Sequence, residues 1–204
     1  MANRTGLGCL AAIVLLLVFF GISGIGAYNN LVALDQAVTA QWGQVQNVYQ
    51  RRADLIPNLV QTVKGVANFE KSTYIAVAQA RARVGQAQPA AGAQILPNDP
   101  KAFAKFQAAQ DGLSAALSRL LVVVERYPDL KANENFLELQ SQLEGTENRI
   151  SVERMRYNTT AQAFNTARQT FPTAVYAGFF GDRFKTKAYF QAQAGAETAP
   201  KVQF

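Results

Sequence analysis

The stretch from Asn133 to Pro172, NENFLELQSQLEGTENRISVERMRYNTTAQAFNTARQTFP, decides the fold. Phe136, Leu139, Leu143, Thr146, Ile150, Glu153, Tyr157, Thr160, Phe164, Ala167 and Phe171 follow one another at alternating steps of three and four. Such steps draw one narrow stripe along a helix, the seam by which long helices pack at small crossing angles. Three further seams obey the same rule. One runs through Leu31, Leu34, Val38, Gln41, Val45, Val48 and Arg52. The next takes Ile56, Leu59, Val63, Val66, Glu70, Thr73, Val77, Ala80 and Val84. The third takes Phe103, Phe106, Gln110, Leu113, Leu117, Leu120, Val124 and Tyr127.

The breaks between seams have chemical causes. Pro57 has no backbone N–H and breaks or kinks a helix unless it lies in a first turn. Asp54, three residues earlier, is a suitable cap, so residues 52–54 read as a tight connection, with one helix kinked at Pro57 as the competing reading. Residues 85–100 hold three prolines and two glycines and form the longest loop. Asp99-Pro100 then starts a helix, with aspartate capping and proline at the first helical position. Pro128 ends it, Asn133 caps the next, and Phe171-Pro172 closes that one.

Outward from these seams, Gly6 to Ala27 (GLGCLAAIVLLLVFFGISGIGA) is almost wholly apolar, and no charge occurs from Thr5 to Leu34. About 20 apolar residues cross a hydrocarbon core of ~30 Å. An uncleaved anchor is therefore favoured over a signal peptide, whose apolar region is only ~7–15 residues long. Cys9 precedes the apolar stretch, an order that excludes lipidation of the lipoprotein kind and leaves it near the membrane boundary. Arg4 lies before the span and residues 28–50 carry no Lys or Arg, which places the N-terminus in the cytoplasm and the domain outside.

The expected fold class is thus all-α. A short tail (1–5) precedes a transmembrane helix (6–27) and an antiparallel up-down four-helix bundle (28–172). The bundle helices span about 28–52, 55–84, 100–126 and 133–170, and an aromatic and basic tail (173–204) follows.

Composition narrows the chemistry. The 204 residues include one cysteine and no histidine, and carry a net charge of +6. Histidine-based acid–base catalysis, zincin-type sites and the Glu-x-x-His di-iron bundle are excluded, as are an intrachain disulfide and a cysteine-rich zinc or iron–sulfur site. No Asp-rich loop of the EF-hand type is present, so no metal and no cofactor are expected. The positive charge is spread along the chain and gives no nucleic-acid footprint.

Two stretches carry a family resemblance. Tyr28-Asn29-Asn30-Leu31-Val32 is followed by Gln50-Arg51-Arg52-Ala53-Asp54-Leu55-Ile56-Pro57-Asn58-Leu59-Val60. Far downstream, Asn135-Phe136 leads through Leu143-Glu144-Gly145-Thr146-Glu147-Asn148-Arg149-Ile150 to Arg154, Arg156, Tyr157-Asn158 and Phe171-Pro172. In this order and spacing they closely resemble the LemA family of bacterial membrane proteins, from the anchor to about Ala177 and weakly into Tyr189-Phe190. The resemblance implies an N-terminal transmembrane helix and a helical-bundle domain, and it implies no enzymatic activity. It also brings the opposite topology, with the short N-terminus outside; the charge-based orientation is kept here.

Polar residues within seams need partners, because an unpaired buried charge is costly. Matching heights in an up-down bundle predicts ion pairs from Glu70 to Arg149 or Arg154, and a cluster of Arg51, Arg52 and Asp54 at the end far from the membrane. Glu147 and Glu153 suggest a glycosidase-type carboxylate pair, but they lie six apart on one helix and point to different sides. They read instead as members of a structural polar network.

In the tail, Tyr176, Phe179, Phe180, Phe184, Tyr189 and Phe190 interleave with Arg183, Lys185 and Lys187. Two outcomes are open: the rings cap the bundle end, which is favoured, or they meet anionic headgroups with the three cations. The functional expectation is a non-enzymatic, single-pass membrane scaffold or adaptor. Its partners are the lipid bilayer and a membrane or envelope protein, with self-association possible through Gly21, Gly24 and Gly26. A ligand-binding or sensor ectodomain is the alternative.

Overall fold

The computed structural model describes residues 2–66, 69–87 and 96–192, and these are helical almost throughout. The first helix, α1 (Ala2–Lys64), is a single rod of 63 residues, about 95 Å long. Its outer part exposes apolar side chains from Leu10 to Ile25, and it is long and apolar enough to cross a membrane. Burial begins at Ala27 and recurs at Leu31, Val38, Trp42, Val45 and Tyr49, so the apolar segment and the folded domain share one unbroken helix. The side chain of Cys9 lies outside the described residues, as do residues 193–204 of the tail.

The connection expected at 52–54 does not form. The competing reading holds: α1 continues through Pro57 to Lys64. A proline in a helix leaves the carbonyl four residues earlier without its donor, here that of Ala53. Arg81 Nε donates to this oxygen at 3.0 Å, and the helix survives the defect. The chain turns instead after Lys64, and α2 follows over Lys71–Ala87.

Residues 88–95 of the expected loop lie outside the described residues, its first three positions belong to α2, and α3 (Pro100–Val124) starts as anticipated. Asp99 accepts from the N–H groups of Lys101 and Ala102, and Pro100 takes the first position. α3 ends ahead of Pro128 as expected, and that proline also opens a four-residue turn of helix, α4 (Pro128–Lys131). Asn133 caps α5 (Glu134–Gln169) by accepting from Phe136 N–H. A short α6 (Thr173–Phe179) completes the set.

Cross-helix pairs give the chain directions. Ala53 meets Arg81, and Lys64 stands over the Tyr74 ring, so α1 and α2 run oppositely. Trp42 packs on Phe103 and Arg52 reaches Ser114, so α1 and α3 run together. Gln41 meets Glu153 and Arg52 meets Glu147, which makes α5 antiparallel to α1.

The interior has two parts. Far from the apolar end, α1, α2, α3 and α5 together bury Ile56, Leu59, Val63, Val77, Val84, Leu113, Leu120 and Phe136. Nearer that end no described residue of α2 joins the core. Its place is taken by the tail: Phe184 and Phe190 join Trp42, Phe103, Phe106, Tyr157 and Phe164 in a second core. The chain reverses into this position at Gly181, whose φ of +57° is a left-handed conformation that glycine adopts without a side-chain clash.

Candidate functional site

Two polar centres lie inside the domain. The first is Arg52, only 1% exposed on the seam of α1. Its Nη1 donates to Glu147 Oε2 at 2.8 Å and to Ser114 Oγ at 2.8 Å. Its Nη2 donates to Gln110 Oε1 and to the Gln110 carbonyl. The guanidinium also stands over the Tyr49 ring, 5.2 Å from its centroid. One arginine thereby ties α1, α3 and α5 together at mid-height. Three buried polar atoms here, Arg52 Nε, Gln110 Nε2 and the Tyr49 hydroxyl, have no hydrogen-bond partner among the described residues. Burial pushes the Tyr49 hydroxyl from 10.0 up to about 12, against the opposing pull of Arg154 and Arg52. A cavity of about 170 Å³ opens beside the arginine, lined by Leu59, Leu117, Leu121 and Leu143 with Ser114 and Glu147.

The second centre belongs to the tail. Lys187 is 4% exposed, and its Nζ reaches Asp35 Oδ1 at 2.5 Å and Asn98 Oδ1 at 2.6 Å, 4.6 Å from the Phe164 ring centre. The tail backbone is held by amide side chains that pair in both directions. Asn165 accepts from Lys187 N and donates to its carbonyl; Asn158 does the same for Phe190, and Gln107 for Gln191. The spacing explains the fit. Seven residues of helix, Asn158 to Asn165, rise about 10.5 Å, and three residues of extended chain, Lys187 to Phe190, cover about 10 Å. Tyr157 donates to the Ala188 carbonyl at 2.9 Å, and its hydroxyl is likewise pushed up by burial.

The expected pairing of Glu70 with Arg149 or Arg154 is corrected. Glu70 meets Arg126 at 3.3 Å on the surface, Arg149 is exposed, and Arg154 pairs with Asp111 at 3.7 Å and covers the Phe190 ring. The expected distal cluster is also absent. Arg51 is exposed, Asp54 accepts from Gln50, and only Arg52 is buried, at mid-height. Both errors share a cause: moving the turn from 52–54 to beyond Lys64 shifts the register of α1 by more than ten residues, over 15 Å. Glu147 and Glu153 are kept apart as partners of Arg52 and Arg156 respectively, Glu153 also accepting from Gln41.

Among the membrane-contact candidates, Lys187 is corrected outright, being buried in an ion pair. Phe180 is half-buried against Tyr28, while Arg183, Lys185 and Phe179 are exposed. Reading seams alone missed Asp35, Asn98, Gln107, Asn158 and Asn165. The seven-residue interval between Asn158 and Asn165, on one face of a long helix, was the available signal. Among the described residues, no group of three acidic or sulfur side chains is placed to hold a metal.

A long helix with a bare apolar outer third, continuous with a helical domain closed by its own tail, defines a class: helical proteins with an N-terminal segment able to span a membrane. The chain belongs to the LemA family, whose model matches residues 41–204. It is similar to Magnetosome protein MamQ of Magnetospirillum gryphiswaldense, at 27% identity over 93% of this chain and 74% of that protein. Magnetosome protein MamQ 1 of Paramagnetospirillum magneticum is 26% identical over 96% and 78%. Protein LemA of Metamycoplasma hominis is 24% identical over 73% and 63%.

Proposed function

We propose that this chain is a non-enzymatic, single-pass membrane scaffold of the cell envelope. Its four long helices read as an up-down-up-down bundle that presents a docking groove to a membrane or envelope protein. The observation that carries this reading is the outer face of α2 and α3. There Ala76, Ala80, Ala115, Ala116 and Gly112 leave an open concavity of about 550 Å³ between Arg83 and Arg119. Small residues admit the close approach of another helix, and the two arginines suit an acidic partner surface. The Arg4 asymmetry supports a domain outside the cytoplasm, and the apolar outer part of α1 supports the bilayer as its other partner.

The test is photocrosslinking in cells from Ala76 and Ala115, with Arg126 as an outside control. Reproducible capture of one membrane or envelope protein from the groove positions, and not from the control, is the expected result. Self-crosslinks alone, or none, would overturn the adaptor.

A second reading is favoured by the cavity beside Arg52. Its leucine lining and the carboxylates of Glu144 and Glu147 at its polar end suit a small amphiphile carrying a cationic group, which would make the domain a ligand-binding ectodomain. Saturable stabilisation by a short-chain alkylamine, lost in Leu121→Trp, is its expected signature.

A further inference from the structure

The hairpin formed by the end of α5 and by α6 reaches below the top of the apolar segment. Tyr176 on α6 donates its hydroxyl to the Phe20 carbonyl at 3.0 Å and lies 2.6 Å from Ser23 Oγ. A Cβ on Gly24 would come within 3.1 Å of the Tyr176 ring, so this glycine sets how closely α6 lies on α1. Phe20 to Gly24 sit three to seven residues inside the apolar run that ends at Ala27, a depth of about 5–10 Å. Phe180, by contrast, packs on Tyr28 at 5.1 Å, so α6 rises from within the apolar level to its edge.

The outer face of this hairpin is apolar and uncovered. Phe171, Val175 and Phe179 recur every fourth residue and are 77%, 48% and 84% exposed. They continue the bare surface that α1 presents at the same level through Phe20, Ile22 and Ile25. Hydrocarbon accepts backbone only where its polar groups are satisfied internally. Most of the turn meets this condition: Pro172 has no N–H, those of Thr170, Ala174 and Val175 donate to the carbonyls of Thr166, Thr170 and Pro172, and the Thr170 hydroxyl also donates to Thr166. Only the N–H groups of Phe171 and Thr173 have no main-chain acceptor among the described residues of the turn. Cations begin one step higher, where Arg183 stands over the Tyr28 ring at 5.4 Å.

We infer that this hairpin is immersed in the adjoining lipid leaflet, with Phe171, Val175 and Phe179 among the acyl chains and Arg183 at the headgroups. The occupant of the apolar stripe is lipid because the stripe is continuous with the span itself. The domain then enters one leaflet with two elements, α1 and the hairpin, and only α1 crosses the other. This inference rests on the membrane reading of α1 and adds depth and sidedness to it.

The test uses the full chain with Cys9→Ser, reconstituted in phosphatidylcholine–phosphatidylglycerol vesicles. Single variants Phe171→Cys, Val175→Cys and Phe179→Cys are labelled with an environment-sensitive fluorophore. Leu15→Cys serves as the membrane reference and Met155→Cys as the aqueous one. Loss of emission to lipid-borne doxyl quenchers at 171, 175 and 179, as at 15 and not at 155, is expected. Quenching at 15 alone would leave the span standing and overturn the immersed hairpin. Absence of quenching at 15 as well would overturn both.

Discussion

The guanidinium of Arg81 donates through Nε to the Ala53 carbonyl, the acceptor that Pro57 leaves without its helical donor. A side chain on α2 thus repairs a main-chain defect in α1 and fixes the height at which the two helices meet. Arg81→Ala is expected to cost about 1 kcal/mol, the worth of one partly exposed hydrogen bond. In a Pro57→Ala background the new N–H serves Ala53 itself, and the same substitution should cost almost nothing. Denaturation in detergent micelles of the four variants measures the coupling; equal costs in both backgrounds would remove the repair.

Lys187 and Asp35 hold the tail in the core. Removing one member of a buried pair strands the other: Asp35→Asn leaves the buried Lys187 ammonium without a counter-charge and should cost about 3 kcal/mol, with Lys187→Met costing less because the carboxylate it leaves is partly wet. Chymotryptic cleavage at Tyr189 and Phe190 should accelerate in both variants while the rest of the domain stays intact. Unchanged cleavage with a lowered melting temperature would mean that the tail does not depend on the pair.

Arg52 and Glu147 should respond unequally. Glu147→Gln leaves the buried Arg52 guanidinium facing only the neutral acceptors Gln110 and Ser114, and is expected to cost about 2 kcal/mol. Arg52→Met removes the one donor serving all three groups and should cost about 3 kcal/mol or more. Melting temperatures of the two variants give the comparison, and equal losses would place the weight on the ion pair itself.

High pH separates the two buried tyrosines. Unfolded tyrosine ionises near 10.0, whereas Tyr49 holds its proton to about 12 in the fold. Between these values the folded state binds more protons, so stability present at neutral pH is lost as pH rises, at about 1.4 kcal/mol per unit. Tyr49→Phe should reduce that loss and be neutral or stabilising by up to about 1 kcal/mol at pH 7, since its hydroxyl has no partner. Tyr157→Phe should also lessen the alkaline loss, yet destabilise at pH 7 by about 1 kcal/mol, because its hydroxyl serves the Ala188 carbonyl. A loss at pH 7 for Tyr49→Phe would reveal a partner for that hydroxyl.

The helices and their buried faces were legible because periodicity is local. Leu31, Val38, Val45, Leu113, Leu120, Ile150 and Phe164 all fall on predicted seams and all are buried. Caps were legible for the same reason: Asp99 and Asn133 act on N–H groups within three residues. The turn after α1 was misplaced because Pro57 is a local signal for a break, and its remedy, Arg81, lies 28 residues away. That single misplacement carried into every height match, and so into the partners assigned to Glu70, Arg52 and Arg154.

The tail shows the same division. Its aromatic composition was visible, and folding back over the bundle was the favoured outcome. What composition could not convey is that no described residue of α2 enters the core at that end, where Phe184 and Phe190 pack instead. By itself, the order of residues determined an apolar helix long enough to span a membrane, the helical seams beyond it and the absence of histidine chemistry, since each depends on neighbours within a few turns. The tertiary structure alone decided which charges meet, which lysine is buried and where the aromatic hairpin stands against α1. Those outcomes depend on helix register, and register is set by contacts between residues that are distant along the chain.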